Sequence, residues 1–196
     1  MWDKVHGMPD INWKWGMSHI DNKGFWSHVS ERSDLSEDFI RQYAEQLNWY
    51  RLSQNEYFLF TEEFADEFKD KIWWKGLSRR PLTEQFIKRF KDYVDWKAIS
   101  FKKYLSDDFI AKYADYIDWT ILCKYRQVSE QFIEKFSKYI DWKMVSINQK
   151  LSIDFIKKHW EDVNLVFLVS NYRVPYYYRN KWKKTESDRL KRDLMR

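Results

Sequence analysis

Apolar and polar positions follow one scheme that returns six times along this chain. Take Leu35, Phe60, Leu82, Leu105, Val128 and Leu151 as position 0 of each repeat. Position +4 is then always Phe: Phe39, Phe64, Phe86, Phe109, Phe132, Phe155. Position +12 is aliphatic (Leu47, Ile72, Val94, Ile117, Ile140, Val163), and +14 is Trp49, Trp74, Trp96, Trp119, Trp142, then Leu165. The last three intervals are 23 residues each, while a short insertion and Pro81 offset the second and third repeats. Position +1 is Ser or Thr, the residue type that caps a helix by accepting a bond from an orphan first-turn amide. Acids follow at Glu37, Asp38, Asp107 and Asp108, where they complement the helix dipole. Leu35 with Ile40, Leu105 with Ile110 and Val128 with Ile133 have the spacing of a hydrophobic staple. The device recurs at +13, where Asp95, Asp118, Asp141, Asn48 and Asn164 read as caps of a second helix. Each repeat is predicted to be a helix of about ten residues followed by one of about five.

On a helical wheel, positions +11, +4, +8, +12 and +5 share one arc of about 120°. In one repeat that arc carries Phe109, Ile110, Tyr113, Tyr116 and Ile117, with polar positions opposite. One repeat cannot bury such a face alone, whereas stacked repeats can. The expected fold is therefore all-α: a helical-repeat solenoid of about six two-helix units with atypical ends. Residues 35–173 form the array, 1–34 an N-terminal cap or irregular segment, and 174–196 a basic capping helix or tail. Within the first of these ends, Ile11-Asn12-Trp13 matches only the second-helix half of the motif, and residues 19–34 read as an irregular connection or an extra helix. At the other end, Val174-Pro175 restarts the register, with Tyr178 and Trp182 at +4 and +8.

The 12 Trp, 13 Tyr and 14 Phe among 196 residues are largely absorbed by this scheme, and 4 Gly with 3 Pro favour helix over strand and turn. The single cysteine, Cys123, excludes a disulfide framework and points to a reducing compartment, so a cytoplasmic location is expected. No apolar leader and no membrane-length apolar run is present, so no membrane partner is expected. The charge is uneven. Residues 173–196 hold nine Lys/Arg against three Asp/Glu, a net +6, so the other 172 residues sum to −1 within a chain of net +5.

Candidate chemistry is weighed against these structural demands. The Asp-Trp pairs read as helix caps and seam-filling rings in preference to stacking platforms. The basic row Arg89, Lys112, Lys135, Lys158 is expected to be neutralised by Asp92, Asp115 and Glu161 three residues on. The inter-repeat loops are the better surface: Arg79, Arg80, Lys102, Lys103, Lys124, Arg126 and Lys150, interleaved with Phe101, Tyr104 and Tyr125. In the tail, Arg179, Lys181, Trp182, Lys183 and Lys184 join Tyr176, Tyr177 and Tyr178. Both sets are candidate contacts for an acidic partner. His6, His19, His28 and His159 lack metal-ligand spacing. His159 occupies the aromatic +8 slot, and Cys123 the +18 slot used by Ser100 and Ser146. With no phosphate loop, dinucleotide fingerprint or nucleophile elbow, neither a cofactor nor a catalytic role is expected.

LSDDFIAKYADYIDW, with its L-S-x-D/Q-F-I and I-D-W elements, resembles short helical repeats of proteins of large DNA viruses and bacteriophages, over about residues 35–170. The resemblance implies a viral protein with an interaction role and carries over no catalytic residue. The function expected is a non-catalytic helical-repeat protein that binds, and inhibits or recruits, a host macromolecule in the host cytoplasm. The alternative is a nucleic-acid-binding solenoid using the basic loops and tail. A protein partner is expected first, nucleic acid second, and pairing with a second copy stays open.

Overall fold

A computed structural model describes residues 23–184. Among them no strand occurs, and the array is all-helical. The first helices are Glu37–Gln42, Glu62–Glu67, Glu84–Arg89, Asp107–Lys112, Glu130–Lys135 and Ile153–Lys158. The second helices are Trp49–Leu52, Trp74–Leu77, Trp96–Ser100, Trp119–Tyr125, Trp142–Asn148 and Leu165–Leu168. The chain is divided into two compact bodies, 1–95 and 96–196.

Every first helix is capped at +1. Ser36, Thr61, Thr83, Ser106, Ser129 and Ser152 accept from the amide of the +4 Phe at 3.0–3.2 Å. Asn48, Asp118, Asp141 and Asn164 cap second helices in the same way. The second repeat departs from this, since Trp73 stands at +13 and makes no side-chain cap. Its ring lies over Gly76, where an added Cβ would sit 2.2 Å from an indole carbon. Glycine is required there by that close approach.

The first helix is shorter than the wheel predicts. Six residues are helical, and +8 leaves the helix with φ near −110°, as at Tyr43, Phe68 and Tyr113. A turn follows, closed by a bond from the +12 amide to the +8 carbonyl, as in Ile117 to Tyr113 at 3.2 Å. This brings the aliphatic +12 residue into the core but swings +11 outward. Tyr93 and Tyr116 are therefore exposed, where a continuous helix would have buried them.

The Trp at +14 is tied to its own repeat and packs on the next. Its indole N–H donates to the +9 carbonyl of its own repeat, Trp49 to Ala44, Trp74 to Lys69 and Trp119 to Ala114, at 2.8–2.9 Å. That satisfies a carbonyl beyond the end of the first helix. Its ring packs on the +4 and +8 rings of the next repeat. Trp49 meets Phe64 and Phe68, Trp119 meets Phe132 and Phe136, and Trp142 meets Phe155 and His159.

A second device was not read from the sequence. The buried Ser at +18 donates to the Trp carbonyl four residues back and accepts the amide of the next repeat's +13 residue. Ser53 accepts from Trp73, Ser78 from Asp95, Ser100 from Asp118 and Ser146 from Asn164, at 2.8–2.9 Å. Ser53, Ser100 and Ser146 donate to Trp49, Trp96 and Trp142 at 2.6–2.7 Å. Side-chain amides add further ties: Asn55 to Ser30 and Arg32 carbonyls, Gln149 to Cys123 and Arg126, Asn171 to Ser146 and Gln149.

The serine device also assigns the N-terminal region. Residues Lys23–Ser30 are helical, not irregular. Ser30 donates to Trp26 and accepts from Asn48, so Trp26, Val29 and Ser30 occupy the +14, +17 and +18 slots of a further repeat. Ile11-Asn12-Trp13, the other expected match, lies outside the described residues. At the other end, residues 176–184 are helical, with Val174 and Trp182 buried. The remainder of the basic tail lies outside the described residues.

Candidate partner-binding surfaces

The basic candidates separate by what their side chains already hold. In residues 1–95, Arg79 is exposed, whereas Arg80 is half-buried. Arg80 donates to the Phe58 carbonyl and lies 5.4 Å over the Phe60 ring. Desolvation draws its guanidinium below the ordinary pKa, opposed by Glu56. Arg80 is thus a structural tie beneath the loop 55–60.

In residues 96–196, Lys103, Lys124 and Lys150 are exposed and Lys102 is half-buried. Burial pushes the Lys102 ammonium down to about 8. Arg126 donates to the Leu105 carbonyl at 2.8 Å and to Asp107 at 2.9 Å, so its charge is committed within the array. The exposed rings of Phe101 and Tyr125 meet at 4.7 Å, bringing two successive loops together. Lys124 lies 5.1 Å over Tyr125, and Lys102 5.8 Å over Tyr104.

The C-terminal candidates also divide. Trp182 is buried against Trp160 and Tyr178 and serves packing. Lys181, Lys183 and Lys184 are exposed, and Arg179 is half-buried with its guanidinium 5.9 Å over the Tyr176 ring. Residues 163–185 contain no Asp or Glu, although every repeat from 35 to 173 has at least three. Tyr176 and Tyr177 fill the first-turn places that acids hold at Glu37-Asp38 or Asp107-Asp108.

Two of the four +7 cations pair with acids of the preceding repeat and not along their own helix, while Lys112 and Lys135 lie over the Tyr113 and Phe136 rings beside them. Arg89 reaches Glu62 and Asp66 at 3.4 and 3.2 Å, and Lys158 reaches Glu134 at 2.6 Å. Arg41, at +6, reaches Glu67 at 2.9 Å. The Lys158 and His159 bonds hold the Glu134 carboxyl below its usual pKa. The expected partner Asp92 is instead beside Lys91 at 2.8 Å. The helix ends at +7, so +10 lies on the turn and does not continue the helical face.

One surface was missed. The insertion that lengthens the first interval carries Tyr57 and Leu59, each 75% exposed. Between and beside them, Phe58 and Phe60 are buried and meet edge to face at 5.0 Å. Asn55 anchors the loop below and accepts the Tyr57 amide at 3.0 Å. The alternation of inward and outward residues in NEYFLF was the available signal.

The titratable groups have structural places. His159 stacks under Trp142 at 5.2 Å, with Nδ1 3.1 Å from Asp162. Cys123 is buried in the serine slot, its thiol pushed up to about 12 by desolvation. Among the described residues no group of three or more His, Cys, Asp or Glu is placed to hold a metal, and no helix is long and apolar enough to cross a membrane. No family model, curated protein or solved structure matches this chain.

Proposed function

We propose that this chain is a non-catalytic helical-repeat interaction protein whose principal partner is another protein. On the resemblance to viral repeats, that partner is a host cytoplasmic protein, which it blocks or recruits. The observation carrying the reading is the loop 55–60. Tyr57 and Leu59 stand 75% exposed on a segment held from below by Phe58, Phe60 and Asn55. Aromatic and aliphatic anchors on a preorganised loop suit a protein hot spot, because little ordering entropy is lost on binding. The occupation of Asp118, Asp141, His159 and Cys123 by capping and packing supports a role without catalysis.

The test is affinity capture from host lysate with and without nuclease, using wild type and Tyr57→Ala/Leu59→Ala. Nuclease-resistant capture that the double variant loses is the expected result. Capture abolished by nuclease would turn the reading to nucleic acid. That second reading is favoured by the acid-free stretch 163–185.

A further inference from the structure

The surface around Tyr172, Tyr176 and Tyr177 differs in kind from the rest of the array. These three tyrosines are 71%, 71% and 68% exposed. They stand among Arg173, Arg179 and three exposed lysines, in a 23-residue stretch without a carboxylate. Arg173 lies 4.5 Å over the Tyr172 ring and Arg179 lies 5.9 Å over Tyr176. Tyr172 and Tyr176 thereby each lie beside a cation able to meet a phosphate while the ring meets a base, and Tyr177 meets the Tyr178 ring edge to face at 5.2 Å. The helix 176–184 is held to the body through the buried Trp182, so this surface is positioned by the fold.

We propose that this surface binds single-stranded nucleic acid, with Tyr172, Tyr176 and Tyr177 stacking on bases and the adjoining cations following the backbone. Charge complementarity alone would also admit an acidic protein, but an acidic segment makes no use of three exposed rings. A duplex hides its base faces. A membrane-surface helix needs bulky apolar groups turned outward, whereas Trp182 is turned inward. This surface is separate from Tyr57 and Leu59, so it goes beyond the protein-binding reading and fails independently of it.

The experiment uses the full chain and fluorescence anisotropy with a labelled oligo-uridine of about a dozen nucleotides, within the usual span of such sites. A duplex of equal length, poly-glutamate and phosphatidylserine vesicles are the comparison probes. Oligo-uridine is expected to bind most tightly, with affinity falling as salt rises. Tyr176→Ala/Tyr177→Ala should weaken it by about 30-fold or more, and Tyr176→Phe/Tyr177→Phe should restore it. Lys183→Gln/Lys184→Gln should reduce the salt slope by about 1.4. Absent binding at low salt, or an affinity indifferent to the alanine pair, overturns the proposal. Equal or tighter binding to poly-glutamate or to vesicles also overturns it, assigning the surface to an acidic protein or a membrane. Tyr57→Ala/Leu59→Ala is expected to leave oligonucleotide affinity unchanged.

Discussion

Ser100 carries two hydrogen bonds at once, to the Trp96 carbonyl and from the Asp118 amide. The amide belongs to a helix-capping residue and has no partner within its own helix. Replacing Ser100 or Ser146 with Ala removes both of its bonds at a part-buried site, at about 0.5–1.5 kcal/mol each, and should lower unfolding free energy by about 1–3 kcal/mol in urea denaturation. Cys123 sits in the same slot with a larger, weaker acceptor, so Cys123→Ser should be neutral or stabilising by up to about 1 kcal/mol. A loss comparable with Ser100→Ala would refute the shared role. Lys102 gives a pH-dependent test. Its ammonium is depressed to about 8 by burial, so the folded state is penalised fully below pH 8 and progressively less toward the ordinary lysine pKa. Lys102→Met should therefore raise Tm at pH 7, and the gain should shrink by pH 10. A gain constant with pH would contradict the burial cost.

At the level of elements, the caps were legible because capping depends on residue type at a fixed offset, as at Ser106 and Asp118. Periodicity also located Phe109, Ile110 and Ile117 in the core. It misplaced Tyr116, because the break after +7 is set by packing of +8 against Trp96, and not by a glycine or proline signal. The serine device was illegible for a related reason. The small residue at +18 reads as semi-buried, and it is buried, but which amide its hydroxyl serves is invisible until the next repeat is laid against it. Among the candidate contacts, Arg80, Arg126 and Trp182 read like exposed ones, yet each is held inside by a partner distant in sequence. The Trp seam yields the prediction for this scale. Trp119→Ala removes the rings' contact with Phe132 and Phe136 and the bond to Ala114. Its cost should be about 3–5 kcal/mol by denaturation; under 1 kcal/mol would show that the indole is not the joint between repeats.

For the whole molecule, repetition separates stability from recognition. Repeated positions are consumed by caps, seams and hydroxyl ties, so substitutions there act on folding. Charge is divided as well: residues 1–95 hold 14 Lys/Arg and 17 Asp/Glu, a net −3, against 21 and 13, a net +8, in 96–196. A polyanion is therefore drawn to the second body, whereas the exposed apolar anchors Tyr57 and Leu59 belong to the first. The central claim is that recognition of a protein partner rests on these unrepeated side chains. It is tested most directly by measuring partner capture and thermal stability together in Tyr57→Ala/Leu59→Ala. The account predicts nuclease-resistant capture lost with stability changed by no more than about 0.5 kcal/mol per substitution, as for surface positions. Capture retained at wild-type level in the folded double variant would contradict it.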